Sequence, residues 1–132
     1  MSWDLFLFKV AERPDKEMAL NDQLYEKMLP FEEPGKVRDA ISGVCKGTDW
    51  SDDVYGTWQH DGLSMEFNVG DDEPILSLVI YVRGAGDPYP ILQALTKELD
   101  CYVYDCAIEE VLDWDHLDRE GWRAACRQRV AS

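Results

Sequence analysis

At 132 residues and a formal charge of −14, with 45% hydrophobic residues, five Trp and six Tyr, the chain can fill a hydrophobic core. It lacks the basic excess that nucleic acid or an anionic membrane surface requires of a partner. A chain of this length buries roughly two thirds of the surface its unfolded form exposes, so a single domain over residues 1–132 needs no staples. No apolar run approaches the ~20 residues of a membrane helix. The N-terminus also lacks the basic, apolar and small-residue pattern of a secretory signal, so a cytoplasmic location is expected.

In chain order, Trp3 to Val10 is apolar on both faces apart from Asp4 and Lys9, the pattern of a strand inside a sheet. Glu12-Arg13-Pro14-Asp15 ends it. Residues 16–34 read as a connection, either a mobile flap or one with a short helix around Met18, Leu20, Leu24, Tyr25 and Met28. Val37, Ile41, Val44 and Cys45 then fall at i, i+4, i+7 and i+8, a helical stripe that Gly47 closes. Thr48 to Asp53 reads as an acidic loop carrying Trp50, a core plug in preference to an exposed contact.

The centre of the chain is a meander. Val54 to His60 runs through Asp61-Gly62 into Leu63 to Val69, and Asp-Gly between two such runs favours a type I′ turn. Leu63, Met65, Phe67 and Val69 point one way, Ser64, Glu66 and Asn68 the other. After a polar break at residues 70–74, Ile75 to Val82 is apolar almost throughout. Tyr89 to Leu99 reads as a helix with Pro90 in its first turn, Cys101 to Cys106 as the last strand, and Ile108 to Trp114 as a short helix. Residues 119–130 read as a basic helix with Arg119, Arg123 and Arg127 on one stripe. The expected fold class is α+β: a mainly antiparallel five-stranded sheet in the order β-α-β-β-β-α-β-α, with helices packed on one face.

Charge is unevenly placed. Residues 48–118 hold 17 acidic residues against two basic ones, Arg83 and Lys97, a net of −15. Such a field speeds encounter with a basic protein by ~10- to 1,000-fold, and it also confers solubility whatever the function. Cys45, Cys101, Cys106 and Cys126 show no CxxC pairing, so they read as reduced, buried thiols and no metal is expected. Arg83-Gly84-Ala85-Gly86-Asp87 lacks the spacing of a phosphate loop. The acidic clusters at residues 49–53 and 70–73 do not fit an EF-hand. No nucleophile motif occurs and no cofactor is expected.

Glu66, Arg83 and Asp105 are polar residues inside apolar strand runs. If their strands are neighbours they form either a structural ion-pair network or a ligand cluster with two carboxylates and an arginine, the structural reading being favoured.

Trp3 to Phe8, Glu66-Phe67-Asn68-Val69-Gly70, Val82 to Pro88 and the aromatic-Asp105-Cys106 segment together resemble a family of small acidic bacterial proteins. That family is similar to the immunity proteins encoded beside secreted or contact-delivered toxins. The resemblance carries no catalytic motif and implies a non-enzymatic role: cytoplasmic capture of a cognate, basic toxin whose active site the acidic surface occludes. The residues expected to steer and contact that partner are Asp49, Asp52, Asp53, Asp71, Asp72 and Glu73, with Trp50 or Trp58 as an aromatic anchor. Two alternatives stand beside it. One is a small-ligand binder or enzyme using Glu66, Arg83 and Asp105; the other is an assembly subunit, a homodimer for instance, associating through a sheet edge or the N-terminal strand.

Overall fold

The computed structural model describes residues 3–18, 20–70, 74–84 and 86–115. In chain order its elements are β1 (Trp3–Phe8), α1 (Asp22–Lys27), α2 (Pro34–Val44), β2 (Asp49–Asp52), β3 (Tyr55–His60), β4 (Leu63–Asn68), β5 (Ser77–Gly84), α3 (Tyr89–Leu99), β6 (Tyr102–Asp105) and β7 (Glu110–Val111). The strands form one open sheet in the order β2-β3-β4-β5-β1-β6-β7, antiparallel at every step. No described helix is long and apolar enough to cross a membrane.

The α+β class holds, but the sheet has seven described strands where five were expected. Residues 49–52 form an edge strand instead of a loop, paired to β3 through Asp49–Thr57 and Asp52–Tyr55 with an irregularity between them. Acidic residues are depleted in strands overall, yet at an edge they are tolerated and repel further pairing, which is why composition alone points to a loop. The helix expected at residues 108–114 is instead a turn and a two-residue strand, β7. There the Asp105 side chain accepts the Ala107 N–H at 2.9 Å, and the Asp105 carbonyl accepts the Glu109 N–H at 2.8 Å. With Glu109 in the left-handed region at φ 56°, the chain turns back along β6 before a helix can start. The basic helix expected over residues 119–130 lies outside the described residues.

Helices cover both faces, not one. On the first face, Leu5 and Leu7 of β1, Met65 and Phe67 of β4 and Ile80 of β5 meet Val37 and Ile41 of α2 and Leu92 and Leu95 of α3, all buried. Each such side chain contributes roughly 1.5–3 kcal/mol by leaving water. On the second face, Phe6, Phe8, Tyr104 and Val111 form a separate cluster with Leu24 of α1 and Met28, which follows it. Six residues are too few for a helix to persist alone. The helix α1 is held by the Asn21 side chain, which accepts the Leu24 N–H at 3.1 Å, and by Tyr25, edge-on to Phe6 at 6.4 Å. Apolar on both faces, β1 therefore takes the middle of the sheet, as its sequence requires.

The Asp61-Gly62 turn has the expected positive φ at both positions, 49° and 78°. The glycines after Arg83 serve that turn. Gly84, at φ 94°, lies so close to Gly62 that a Cβ would strike the Gly62 carbonyl, and the Gly86 N–H donates to the Gly62 oxygen at 3.3 Å. Gly84 and Gly86 thus brace the hairpin turn from the side.

Candidate partner-binding face

Strand alternation sorts β3, β4 and β5 cleanly. Trp58, Met65, Phe67, Ile80 and Val82 turn toward α2 and α3. Tyr55, Thr57, Ser64, Glu66, Asn68, Tyr81 and Arg83 turn the other way, on the half of the second face that α1 does not reach. Register aligns them in rows across the strands: Thr57, Glu66, Tyr81 and Asp4 in one, Ser64 and Arg83 in the next. Thr57 and Arg83 are exposed, and the others are partly so.

Glu66 organises this face. Its Oε1 accepts from Arg83 Nη1 at 3.1 Å, with the two side chains 22% and 51% exposed. Such an exposed pair contributes under ~1 kcal/mol to stability. The Tyr55 hydroxyl also bonds to Glu66, and this bond, followed by burial and the Glu66 charge, pushes Tyr55 up to about 12. Glu66 thus takes a cationic donor from one neighbouring strand and a neutral one from the other.

Asp105 does not join them. It sits opposite Leu5 in the register, on the helix-covered face, fully buried. Trp3 Nε1 donates to its Oδ1 at 2.9 Å and the Ala107 N–H to the same oxygen. The cluster proposed from sequence therefore divides into an open-face pair, Glu66 and Arg83, and a buried structural carboxyl group. The two-carboxylate arrangement that an acid–base centre would use is not assembled.

The acidic edge adjoins the open face. Asp49, Asp52 and Asp53 are exposed on β2 and the turn after it. Asp52 Oδ1 accepts the Val54 N–H at 3.0 Å, and Arg38 of α2 donates to the Asp53 carbonyl at 3.2 Å, so the turn is tied to the helix behind it. Asp71, Asp72 and Glu73 lie outside the described residues. The two tryptophans face inward. Trp58 is 8% exposed and donates from Nε1 to the Lys46 carbonyl at 3.1 Å. The half-buried Trp50 lies over Gly56 and beside Phe67, with its Nε1 donating to Ser42 Oγ at 2.8 Å. The aromatic side chains that do reach the open face, Tyr55 and Tyr81, were not singled out from the sequence. Strand alternation carried the signal for both once the register was fixed.

The three described cysteines are free thiols, but of the burial expected for them only Cys45 has it: Cys101 is partly exposed and Cys106 exposed, at the turn after β6. Burial pushes Cys45 and Cys101 up to about 12 and raises Cys106 too, which keeps them as weakly nucleophilic thiols. Among the described residues no group of three or more His, Cys, Asp or Glu is arranged to hold a metal ion. Comparison with protein-family models, with curated protein sequences and with solved structures finds no match to this chain.

Proposed function

We propose that this chain is a binding protein of the immunity type, which captures a basic bacterial toxin domain and occludes its active site. One observation carries this reading. An open sheet face bearing Tyr55, Tyr81, Glu66 and Arg83 is flanked along its edge by the exposed carboxylates of Asp49, Asp52 and Asp53. A half-apolar, half-polar patch of this kind beside a one-signed rim suits a macromolecular partner: the rim steers encounter and the aromatic rings fill partner pockets. The sheet behind it is braced by α2 and α3, so the face is preorganised, which lowers the entropic cost of binding. The contact expected is of standard size, ~1,600 Å² or more.

The test is binding and growth rescue with the product of the gene adjacent to the one encoding this chain. A tight complex whose on-rate falls steeply with salt is expected. Asp49→Asn, Asp52→Asn and Asp53→Asn combined should slow association by roughly tenfold or more and flatten that salt dependence. No complex, together with unaltered growth when the adjacent gene is expressed alone, would overturn the reading.

A further inference from the structure

At the end of the sheet farthest from β2 lies a groove of about 420 Å³, set between the second half of α3, the start of β6, the β7 edge and the loop at residues 13–16. That volume is within the range of small-molecule sites. Its chemistry is unlike the rest of the molecule. In a chain with a formal charge of −14, Arg13, Lys16 and Lys97 line this groove against two carboxylates, Asp113 and Asp115, alongside Gln93, Tyr102 and Trp114. Lys97 is one of only two basic residues in the acidic stretch 48–118.

The cations are held in place by different means. Arg13 Nη2 meets Asp113 Oδ2 at 2.7 Å, and Lys16 Nζ meets Glu110 Oε2 at 3.6 Å. One carboxylate contact on the guanidinium leaves most of its five N–H donors for a further acceptor. Lys97, in the last turn of α3, has no carboxylate within 4.0 Å among the described residues. Trp114 is set by Tyr89, whose ring meets it edge-on at 5.3 Å and whose hydroxyl donates to its carbonyl at 3.4 Å.

We propose that this groove binds a small organic anion, a carboxylate or phosphate carried on a flat apolar body. The anionic group is taken by Arg13 and Lys97, and the body lies among Tyr102 and Trp114. The long-range field of the protein repels anions, so an anion site here has to be built from cations at close range, and in the groove lining Arg13, Lys16 and Lys97 outnumber the carboxylates of Asp113 and Asp115. The proposal stands apart from the partner-binding face at the other end of the sheet.

The experiment is a titration of the full chain with phenyl phosphate, benzoate and the neutral benzyl alcohol, followed by amide and indole N–H resonances. Saturable shifts at Lys97, Gln93 and the Trp114 indole are expected with at least one of the two anions, and none with benzyl alcohol. Whichever anion binds more tightly identifies the headgroup. Arg13→Ala and Lys97→Ala should each weaken binding roughly tenfold, while Arg83→Ala, on the other half of the sheet, should leave it unchanged. All three side chains are largely exposed, so folded variants are expected, and the dispersion of the same spectra reports that directly. Saturable shifts with the neutral probe alone, shifts scattered away from the groove, or a Lys97→Ala variant that binds as tightly as the parent would overturn the proposal.

Discussion

The two faces of the sheet put the same sequence pattern to opposite uses. Asp105 and Glu66 are both acidic residues inside apolar strands, and nothing in their neighbours' composition separates them. Asp105 falls on the face roofed by α2 and α3, loses all exposure, and turns its carboxyl group to the Trp3 indole and the Ala107 N–H. Glu66 falls on the face that α1 leaves uncovered and holds its partners at a wet surface. A buried carboxyl group that accepts from the Trp3 indole and the Ala107 N–H fixes the chain; a half-exposed one between an arginine and a tyrosine presents a surface. Strand parity, not residue type, decides which role an acid takes.

The contrast is broken most severely at Asp105. Asp105→Ala leaves the Trp3 N–H and the Ala107 N–H without their acceptor and opens a gap where β1 meets β6. A loss of about 3 kcal/mol or more is expected, read as a fall in the urea midpoint at unchanged slope. Glu66→Ala should cost under ~1 kcal/mol in the same assay. Equal losses from the two variants would erase the distinction between the faces.

Gly56→Ala comes next. A Cβ there would sit 2.8 and 2.9 Å from carbons of the Trp50 ring, so the indole must shift and its bond to Ser42 weaken. Overpacking of this kind costs roughly 1–3 kcal/mol. Movement of the Trp50 indole resonance without global unfolding would show that the ring over Gly56 secures the acidic edge to the core. An unmoved indole would mean that the edge is held by other contacts.

Much of this architecture was legible beforehand because it follows from local rules. The alternation of Leu63, Met65 and Phe67, the Asp-Gly turn, the double-sided apolarity of β1 and the stripes of α2 and α3 each fix an element before any tertiary contact forms. What was not legible depended on partners distant in sequence. Residues 49–52 become a strand only because β3 lies alongside them. Val111 and Leu112 read as helix in isolation, but the Val111 N–H is taken by the Lys16 carbonyl at 2.8 Å and the Leu112 N–H by the Val103 carbonyl at 2.9 Å. For the same reason the separation of Asp105 from Glu66 and Arg83 required knowing that Leu5 lies opposite Asp105 while Tyr81 lies opposite Glu66. The strands are not neighbours either, since β1 lies between β5 and β6.

A smaller effect tests two thiols, the buried Cys45 and the partly exposed Cys101. Cys45 and Cys101 titrate in the fold at about 12 against an ordinary 9.0, because burial disfavours the thiolate. A group whose value is raised by folding stabilises the native state below its unfolded value, and that contribution disappears as pH climbs through the folded value. Stability should therefore decline from about pH 9 toward 12. Cys45→Ala should make the decline shallower, although the lost packing also lowers the starting stability. A Cys45→Ala profile parallel to that of the parent would place the alkaline loss elsewhere.

The smallest effect isolates the open face itself. Tyr55 ionises at about 12 because its hydroxyl donates to Glu66, with burial and the Glu66 charge adding to that bond and the Arg83 charge opposing them. By the same linkage the contribution is present below the ordinary tyrosine value of 10.0 and fades above it. Glu66→Ala removes the first and third causes together, so Tyr55 should ionise close to its ordinary value, while Arg83→Ala should raise it further by removing the opposing charge. Ring-carbon resonances of labelled tyrosine separate Tyr55 from the other tyrosines at a pH between these limits, where the parent keeps its phenol and Glu66→Ala has lost it. If both substitutions left Tyr55 unmoved, Glu66 would not be shared between the two donors. The open face would then be a set of independent side chains, and the preorganised patch on which the binding proposal rests would lose its central residue.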